Sequence, residues 1–172
     1  MAARAEMVGG QEFTRPERTP FLAALVDRGQ AALTEAVAAV APEARVLRDT
    51  DVLLTAQAVA IPDLAVYRGP TWDVPDLLVE YRVESTDRLF FGPKRLAYGR
   101  ARVPEVWFVD AGKGTIAVLR LGPGLDYPWP AEIVGPGATL RSSAIAGLVL
   151  AADAFLPSSD YLRAHLAFQE KN

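Results

Sequence analysis

The sequence predicts an α/β (α+β) domain, and three features support this prediction. A long amphipathic helix comes first, because apolar residues recur at intervals of three and four from Phe21 to Val40. Short apolar runs typical of strands follow it, and the most apolar of them is the run from Asp76 to Val83. A second, short helix from Gly92 to Ala101 separates that run from another strand, Glu105 to Asp110.

Local signals at the ends of these segments set their bounds. Thr19 is suited to cap the long helix, Pro20 to occupy its first position, and Pro42 to end it. The four residues 111–114 form a plausible hairpin loop before the strand from Thr115 to Leu121. Further strands are predicted within 45–48, 51–60, 61–67, 131–134 and 148–150, and a last helix at about 159–168.

Length and composition indicate one globular domain. The chain has 172 residues, of which 51% are hydrophobic, and this is enough for a substantial core. Residues 1–18 are mixed and charged, and we interpret them as a flexible N-terminal tail. Residues 19–172 then form the single domain.

Charge and residue usage exclude several kinds of site. A formal net charge of −3 argues against a broad basic face for nucleic acid. The absence of cysteine excludes disulfides and zinc–thiolate sites, and the single histidine, His165, leaves little material for a histidine metal site or a Ser-His-Asp triad. We find neither a signal peptide nor a membrane-spanning run, so we expect a cytoplasmic protein of a prokaryote.

Acidic side chains within the apolar strands are the candidates for chemistry. Because strand side chains alternate between faces, Glu80 shares a face with Asp76 and Arg82, and Asp63 can lie beside Glu80 if their strands pair. A carboxylate in such apolar surroundings needs a cationic side chain or a metal as partner. Two carboxylates and waters suit Mg²⁺ (or Mn²⁺), which can activate water at a phosphodiester, and Lys94 of the next helix can assist.

The order and spacing of four segments resemble the Uma2 family of restriction endonuclease-like proteins, within the PD-(D/E)XK nuclease superfamily. The segments are IPDLAV, PDLLVE, GPKRLAYGRARVPEVWFVD and TIAVLRL, and the resemblance runs from about Phe21 to Phe155. It implies a restriction endonuclease-like core, with a central mixed β-sheet flanked by helices. It also implies a divalent metal, hydrolysis of DNA and a homodimer, for which the strand from Thr115 to Leu121 and the last helix are candidate contact surfaces.

Residue by residue, the resemblance assigns roles to four positions. Asp63 matches the first metal-binding aspartate of the family and Glu80 matches the second carboxylate. Lys94 matches the family's lysine, which has moved from the strand to the following helix, and Tyr98 matches a tyrosine one turn later. From its position, core packing is the stronger expectation for Tyr98.

The central strand departs from the family pattern. Where the family reads Glu-Val-Leu-Ser-Pro-Ser-Thr, residues 80–86 read Glu-Tyr-Arg-Val-Glu-Ser-Thr, and Pro93 replaces an acidic residue before Lys94. Arg82 can replace the superfamily's lysine and contact phosphate, or it can form a salt bridge that silences Glu80. Three hypotheses therefore remain: a Mg²⁺-dependent DNA endonuclease, a silenced module for protein interaction, and a metal enzyme acting on RNA or a nucleotide.

Overall fold

The computed structural model describes residues 5–15, 17–70, 73–82, 90–128 and 130–162. The long helix is α1 (Pro20–Val40), capped as predicted by Thr19, whose side chain accepts a hydrogen bond from the Leu22 N–H. A π-helical segment, Phe90–Lys94, is kinked at Gly92 and leads into α2 (Arg95–Arg100). The strands are β1 (Ala5–Val8), β2 (Gln11–Thr14), β3 (Arg45–Arg48), β4 (Val52–Thr55), β5 (Ala58–Ala60), β6 (Leu64–Tyr67), β7 (Leu77–Tyr81), β8 (Glu105–Asp110), β9 (Thr115–Arg120), β10 (Glu132–Val134), β11 (Thr139–Arg141) and β12 (Val149–Ala151).

A six-stranded mixed sheet forms the centre of the molecule. Its strand order is β10-β9-β8-β7-β6-β3, and β7 and β8 are its parallel neighbours while the other pairs are antiparallel. Parallel neighbours need a crossover connection, and here it carries α2. Strands β6, β7 and β8 are buried along their whole length, which explains why they read as continuous apolar runs.

Each face of this sheet has its own cover and its own core. One face packs against α1, whose buried residues include Leu25, Leu33 and Val37. The other face packs against a second sheet of order β2-β1-β5-β4, together with α2. Val79 belongs to the first core and Leu78 to the second, as the alternation of a strand requires. The predicted mixed sheet flanked by helices is therefore confirmed, with a small sheet sharing one face.

The predicted flexible tail over residues 1–18 is wrong for the hairpin β1–β2. Gly9 and Gly10 both have positive φ, as a tight two-residue hairpin turn requires, and they join the two strands. Strand β1 also pairs with β5, and Val8 is fully buried against the second core. The Gly-Gly step between two short runs was the available signal.

Other expectations concern the surface and the C-terminus. Strand β9 lies between β8 and β10 and is largely buried, so its prediction as an exposed dimer surface is wrong. Residues 159–162 begin the last helix, but most of that helix, His165 included, lies outside the described residues. In the part of the chain that the structure describes, no helix has the length and apolar character to span a membrane.

Candidate active site

The two predicted metal ligands, Asp63 and Glu80, lie beside each other at one end of the β6–β7 pair. Leu64 of β6 pairs with Val79 of β7, so Asp63 stands opposite Glu80 one step further. The Asp63 Oδ2 atom accepts a hydrogen bond from the Tyr81 N–H at 2.6 Å. Asp63 is 3% and Glu80 6% exposed, so both carboxylates are almost removed from water. The predicted proximity is confirmed, whereas the roles as metal ligands stay a prediction.

Lys94 connects Glu80 to a carboxylate that the sequence did not reveal. Its Nζ atom lies 2.7 Å from Glu80 Oε1 and 2.8 Å from Glu6 Oε1. Tyr98, one turn further, donates a hydrogen bond from its hydroxyl to Glu80 Oε1 at 2.5 Å. Glu6 also accepts a hydrogen bond from the Ile61 N–H at 2.5 Å, which ties β1 to the loop before Asp63. We call Glu6, Glu80, Lys94 and Tyr98 the lysine cluster.

Burial and charge set the protonation of the lysine cluster. Burial is the largest cause that raises the pKa of Glu80, and the nearby charges of Asp63 and Glu6 raise it further, while Lys94 opposes them. Burial alone lowers the pKa of Lys94, but its ion pairs with Glu80 and Glu6 outweigh that effect and the net pKa is raised. Lys94 therefore stays charged. Burial first, and the nearby carboxylates of Asp63 and Glu6 second, explain why Glu80 binds a proton more readily than usual.

A second set of charges surrounds Asp63. Arg15, just after β2, and Arg18, just before the helix cap, both place a terminal guanidinium nitrogen on Asp63 Oδ1. The same two arginines contact Asp49, with Arg15 Nη1 at 2.6 Å and Arg18 Nη1 at 2.8 Å from its oxygens. We call Arg15, Arg18, Asp49 and Asp63 the arginine cluster.

Asp49 owes its position to an unusual backbone conformation. Its φ of 49° lies in the left-handed region, which aspartate tolerates better than most residues, and this turn ends β3 beside Asp63. Burial raises the pKa of Asp49, but the hydrogen bond from Arg18 and the charge of Arg15 outweigh it and lower the pKa overall. Asp49 is consequently ionised at neutral pH and anchors both guanidinium groups.

The other two candidates on the strand lie apart from these clusters. Arg82 follows β7, and its Nη1 atom lies 2.7 Å from Asp110 Oδ2, so Arg82 forms a salt bridge with Asp110, and its contact with phosphate stays a prediction. Asp76 binds Arg68 at the opposite end of the strand, as expected for a strand-start residue. The lysine that forms an ion pair with Glu80 is Lys94, and it comes from the following helical segment, as predicted.

Sequence reasoning missed Glu6, Arg15, Arg18 and Asp49. Glu6, Arg15 and Arg18 come from the segment interpreted as a tail, and Asp49 lies between two predicted strands. Their approach to Asp63 and Glu80 depends on the pairing of β1 with β5 and of β3 with β6. Strand β1 buries residues 6 and 8 and exposes the apolar Met7, so the sequence held no local signal for the burial of Glu6. No local pattern marks the two arginines.

A mixed sheet with acidic residues and a lysine at one end of its central strands is the arrangement of a restriction endonuclease-like nuclease. The chain belongs to the Uma2 family, described as "Putative restriction endonuclease", whose model matches residues 2–153. That match includes the N-terminal hairpin as well as the central strands.

One solved structure has the same fold over most of its length. It is a crystal structure of "a putative nuclease belonging to DUF820" from Anabaena variabilis ATCC 29413, with a TM-score of 0.70. The two sequences are 17% identical, and the match covers 88% of this chain and 89% of that one. No curated protein matches the sequence.

The donors at this site suit a divalent metal, but basic side chains occupy them. Carboxylate oxygens are the ligands that Mg²⁺ prefers, and one or two protein carboxylates with waters suffice to hold it. Asp63 and Glu80 provide that pair, although no three acidic or histidine side chains among the described residues form a metal-binding group. Metal binding at Asp63 therefore requires its Oδ1 atom to release the two guanidinium groups.

Proposed function

We propose that this protein is a Mg²⁺-dependent endonuclease that hydrolyses DNA phosphodiester bonds. The observation that carries the proposal is the meeting of Asp63 and Glu80 at one end of β6 and β7, with Lys94 Nζ 2.7 Å from Glu80. Membership of the Uma2 family and the matching nuclease fold support it.

Each group has a distinct part in this mechanism. Asp63 and Glu80 would hold the metal ion, which supplies a Lewis acid and an activated water when bound. Glu6 and Glu80 hold the ammonium of the buried Lys94 in place, so that its charge would lie beside a metal ion held by Asp63 and Glu80. From there Lys94 can stabilise negative charge on the attacked phosphate. Tyr98 fixes the Glu80 carboxylate through its hydroxyl group.

A silenced module for protein interaction is the second candidate, and one observation favours it. Both proposed ligands are already neutralised by side chains, Asp63 by two arginines and Glu80 by Lys94. In this alternative the arginines, rather than Arg82, block the metal. The two candidates differ in whether a divalent ion can displace the guanidinium groups.

Calorimetric titration with Mg²⁺ and Mn²⁺, beside cleavage assays on plasmid DNA and on RNA, separates these possibilities. We expect saturable binding and cleavage, with Asp63→Asn and Glu80→Gln each reducing cleavage by at least about 100-fold. The matched control is Asp76→Asn, since Asp76, like Asp63, directly follows a proline, and it pairs with Arg68 away from the site.

Every outcome of this experiment bears on one of the candidates. Unchanged cleavage by Asp63→Asn would show that the site is elsewhere. No metal binding at millimolar concentration favours the silenced module. Metal binding with cleavage of RNA but not of DNA would support the metal site and contradict DNA as the substrate.

A further inference from the structure

The arginine cluster brings two guanidinium groups to one oxygen atom of a proposed metal ligand. Arg15 and Arg18 both contact Asp63 Oδ1 through their Nη2 atoms, and both also contact Asp49 Oδ1. Two like charges converge in this way only when anionic oxygens lie between them. The two guanidinium groups are therefore arranged to bind several anionic oxygens that lie close together.

We propose that Arg15 and Arg18 form a phosphate clamp that holds the DNA backbone next to the metal position; this inference rests on the proposed nuclease function. Guanidinium groups offer planar forks of donors that match the non-bridging oxygens of a phosphodiester. In the structure the Asp63 carboxylate occupies the donors that a phosphate would take, while Asp49 holds both guanidinium groups in place. Once a cation binds Asp63, the donors on Asp63 Oδ1 are released, and the backbone phosphate can accept from them.

Arg15 and Arg18 are more exposed to solvent than Lys94. The side chains of Arg15 and Arg18 are 16% and 15% exposed, whereas that of Lys94 is 7% exposed and lies between two carboxylates. The two arginines are therefore more exposed to a ligand from solution than Lys94, whose charge acts from within the protein. Because the chain has a net charge of −3, DNA binding has to depend on such local cations.

The two arginines also flank the N-terminus of a long helix. Arg18 directly precedes the Thr19 cap of the 21-residue helix α1, whose N-terminal end carries a partial positive charge. This field adds to the attraction for phosphate, and it acts in the same direction as the two guanidinium charges.

The test measures binding of a short fluorescein-labelled DNA duplex by anisotropy across a series of salt concentrations, with Ca²⁺ in place of Mg²⁺, so that an oxygen-binding cation is present while Mg²⁺-dependent cleavage does not consume the duplex. We expect Arg15→Gln/Arg18→Gln to weaken binding at least about tenfold and to reduce the slope of log affinity against log salt by about 2, one for each lost phosphate contact. The matched control is Arg68→Gln/Arg120→Gln, which removes the same charge from the opposite end of the sheet strands. This control should bind as the wild type does.

A second variant covers the possibility that the first fails to fold. Arg15→Lys/Arg18→Lys keeps both charges but loses the forks, so we expect the wild-type salt slope with an affinity between those of the wild type and the glutamine variant. Thermal melts identify folded variants. An unchanged affinity in either folded double variant overturns the clamp while leaving the cleavage result for Asp63→Asn to decide the nuclease function. Absence of duplex binding by the wild type overturns both.

Discussion

Glu80 and Glu105 are both buried carboxylates on the neighbouring strands β7 and β8, yet their surroundings differ. Glu105 is fully buried and accepts hydrogen bonds from neutral donors: the Trp107 indole at 2.6 Å and the Ser143 N–H at 2.7 Å. Arg120 lies further away, with its Nε atom 3.8 Å from Glu105 Oε2. Glu80 instead shares its environment with the carboxylates of Glu6 and Asp63.

The contrast separates a structural carboxylate from a candidate catalytic one. The two residues lie at opposite ends of the parallel pair, since Leu77 pairs with Glu105 and Glu80 pairs with Phe108. Burial is common to both, so burial alone does not mark a functional site. The distinguishing feature is a concentration of like charge, which costs free energy that a fold would avoid without a use for it.

The largest effect should follow from removing the cation of the lysine cluster. Lys94→Met leaves Glu6 and Glu80 buried without their ion pair, and we expect a loss of about 3–5 kcal/mol in the free energy of unfolding at neutral pH. Because the pKa of Glu80 is already raised, acidification should protonate the carboxylates and recover part of that loss. Urea unfolding at several pH values measures both effects.

The matched control for this lysine is Lys113→Met, since the Lys113 side chain is 72% exposed and should tolerate the change without a measurable effect. A loss for Lys94→Met no larger than that of the control would contradict the buried ion pairs.

A smaller loss, about 2–3 kcal/mol, should follow from Glu105→Ala. The substitution leaves the Trp107 indole N–H and the Ser143 N–H without their acceptor. Mg²⁺ affinity should be unchanged, because Glu105 lies at the far end of the strands. Urea unfolding and calorimetry test the two statements, with Glu132→Ala, the exposed partner of Arg120, as control. Weakened metal binding by Glu105→Ala would erase the distinction between the two carboxylates.

The smallest effect should be the dependence of Mg²⁺ affinity on pH. A raised pKa means that Glu80 retains its proton to a higher pH than the usual value of 4.5, and a metal has to displace that proton. We therefore expect Mg²⁺ affinity to rise by about tenfold per pH unit below the raised pKa and to level off above it. Titration calorimetry across pH measures the profile, and Glu80→Gln should abolish it. A flat wild-type profile would show that Glu80 is not a ligand.

The sequence was sufficient for the central elements because their signals are local. Thr19-Pro20 fixed the start of α1, and the continuous apolar runs fixed β7 and β8, since strands covered on both faces contain apolar residues throughout. The pairing of Asp63 with Glu80 followed from the alternation of side chains on adjacent strands. Lys94 was placed correctly because it lies in the helical segment that follows β7.

Only the tertiary structure decided what surrounds those residues. The N-terminal hairpin brings Glu6 to Lys94, and the segment after it brings Arg15 and Arg18 to Asp63, across sequence separations of about 45 to 90 residues. Charged residues in a short, mixed segment resemble a solvated tail until a strand pairing buries them. The sequence by itself predicted the strands of the central sheet, the long helix and the proximity of Asp63 to Glu80, because hydrophobic periodicity and the alternation of strand side chains are local properties. The charges that these acids face depend on long-range packing, which no local pattern records.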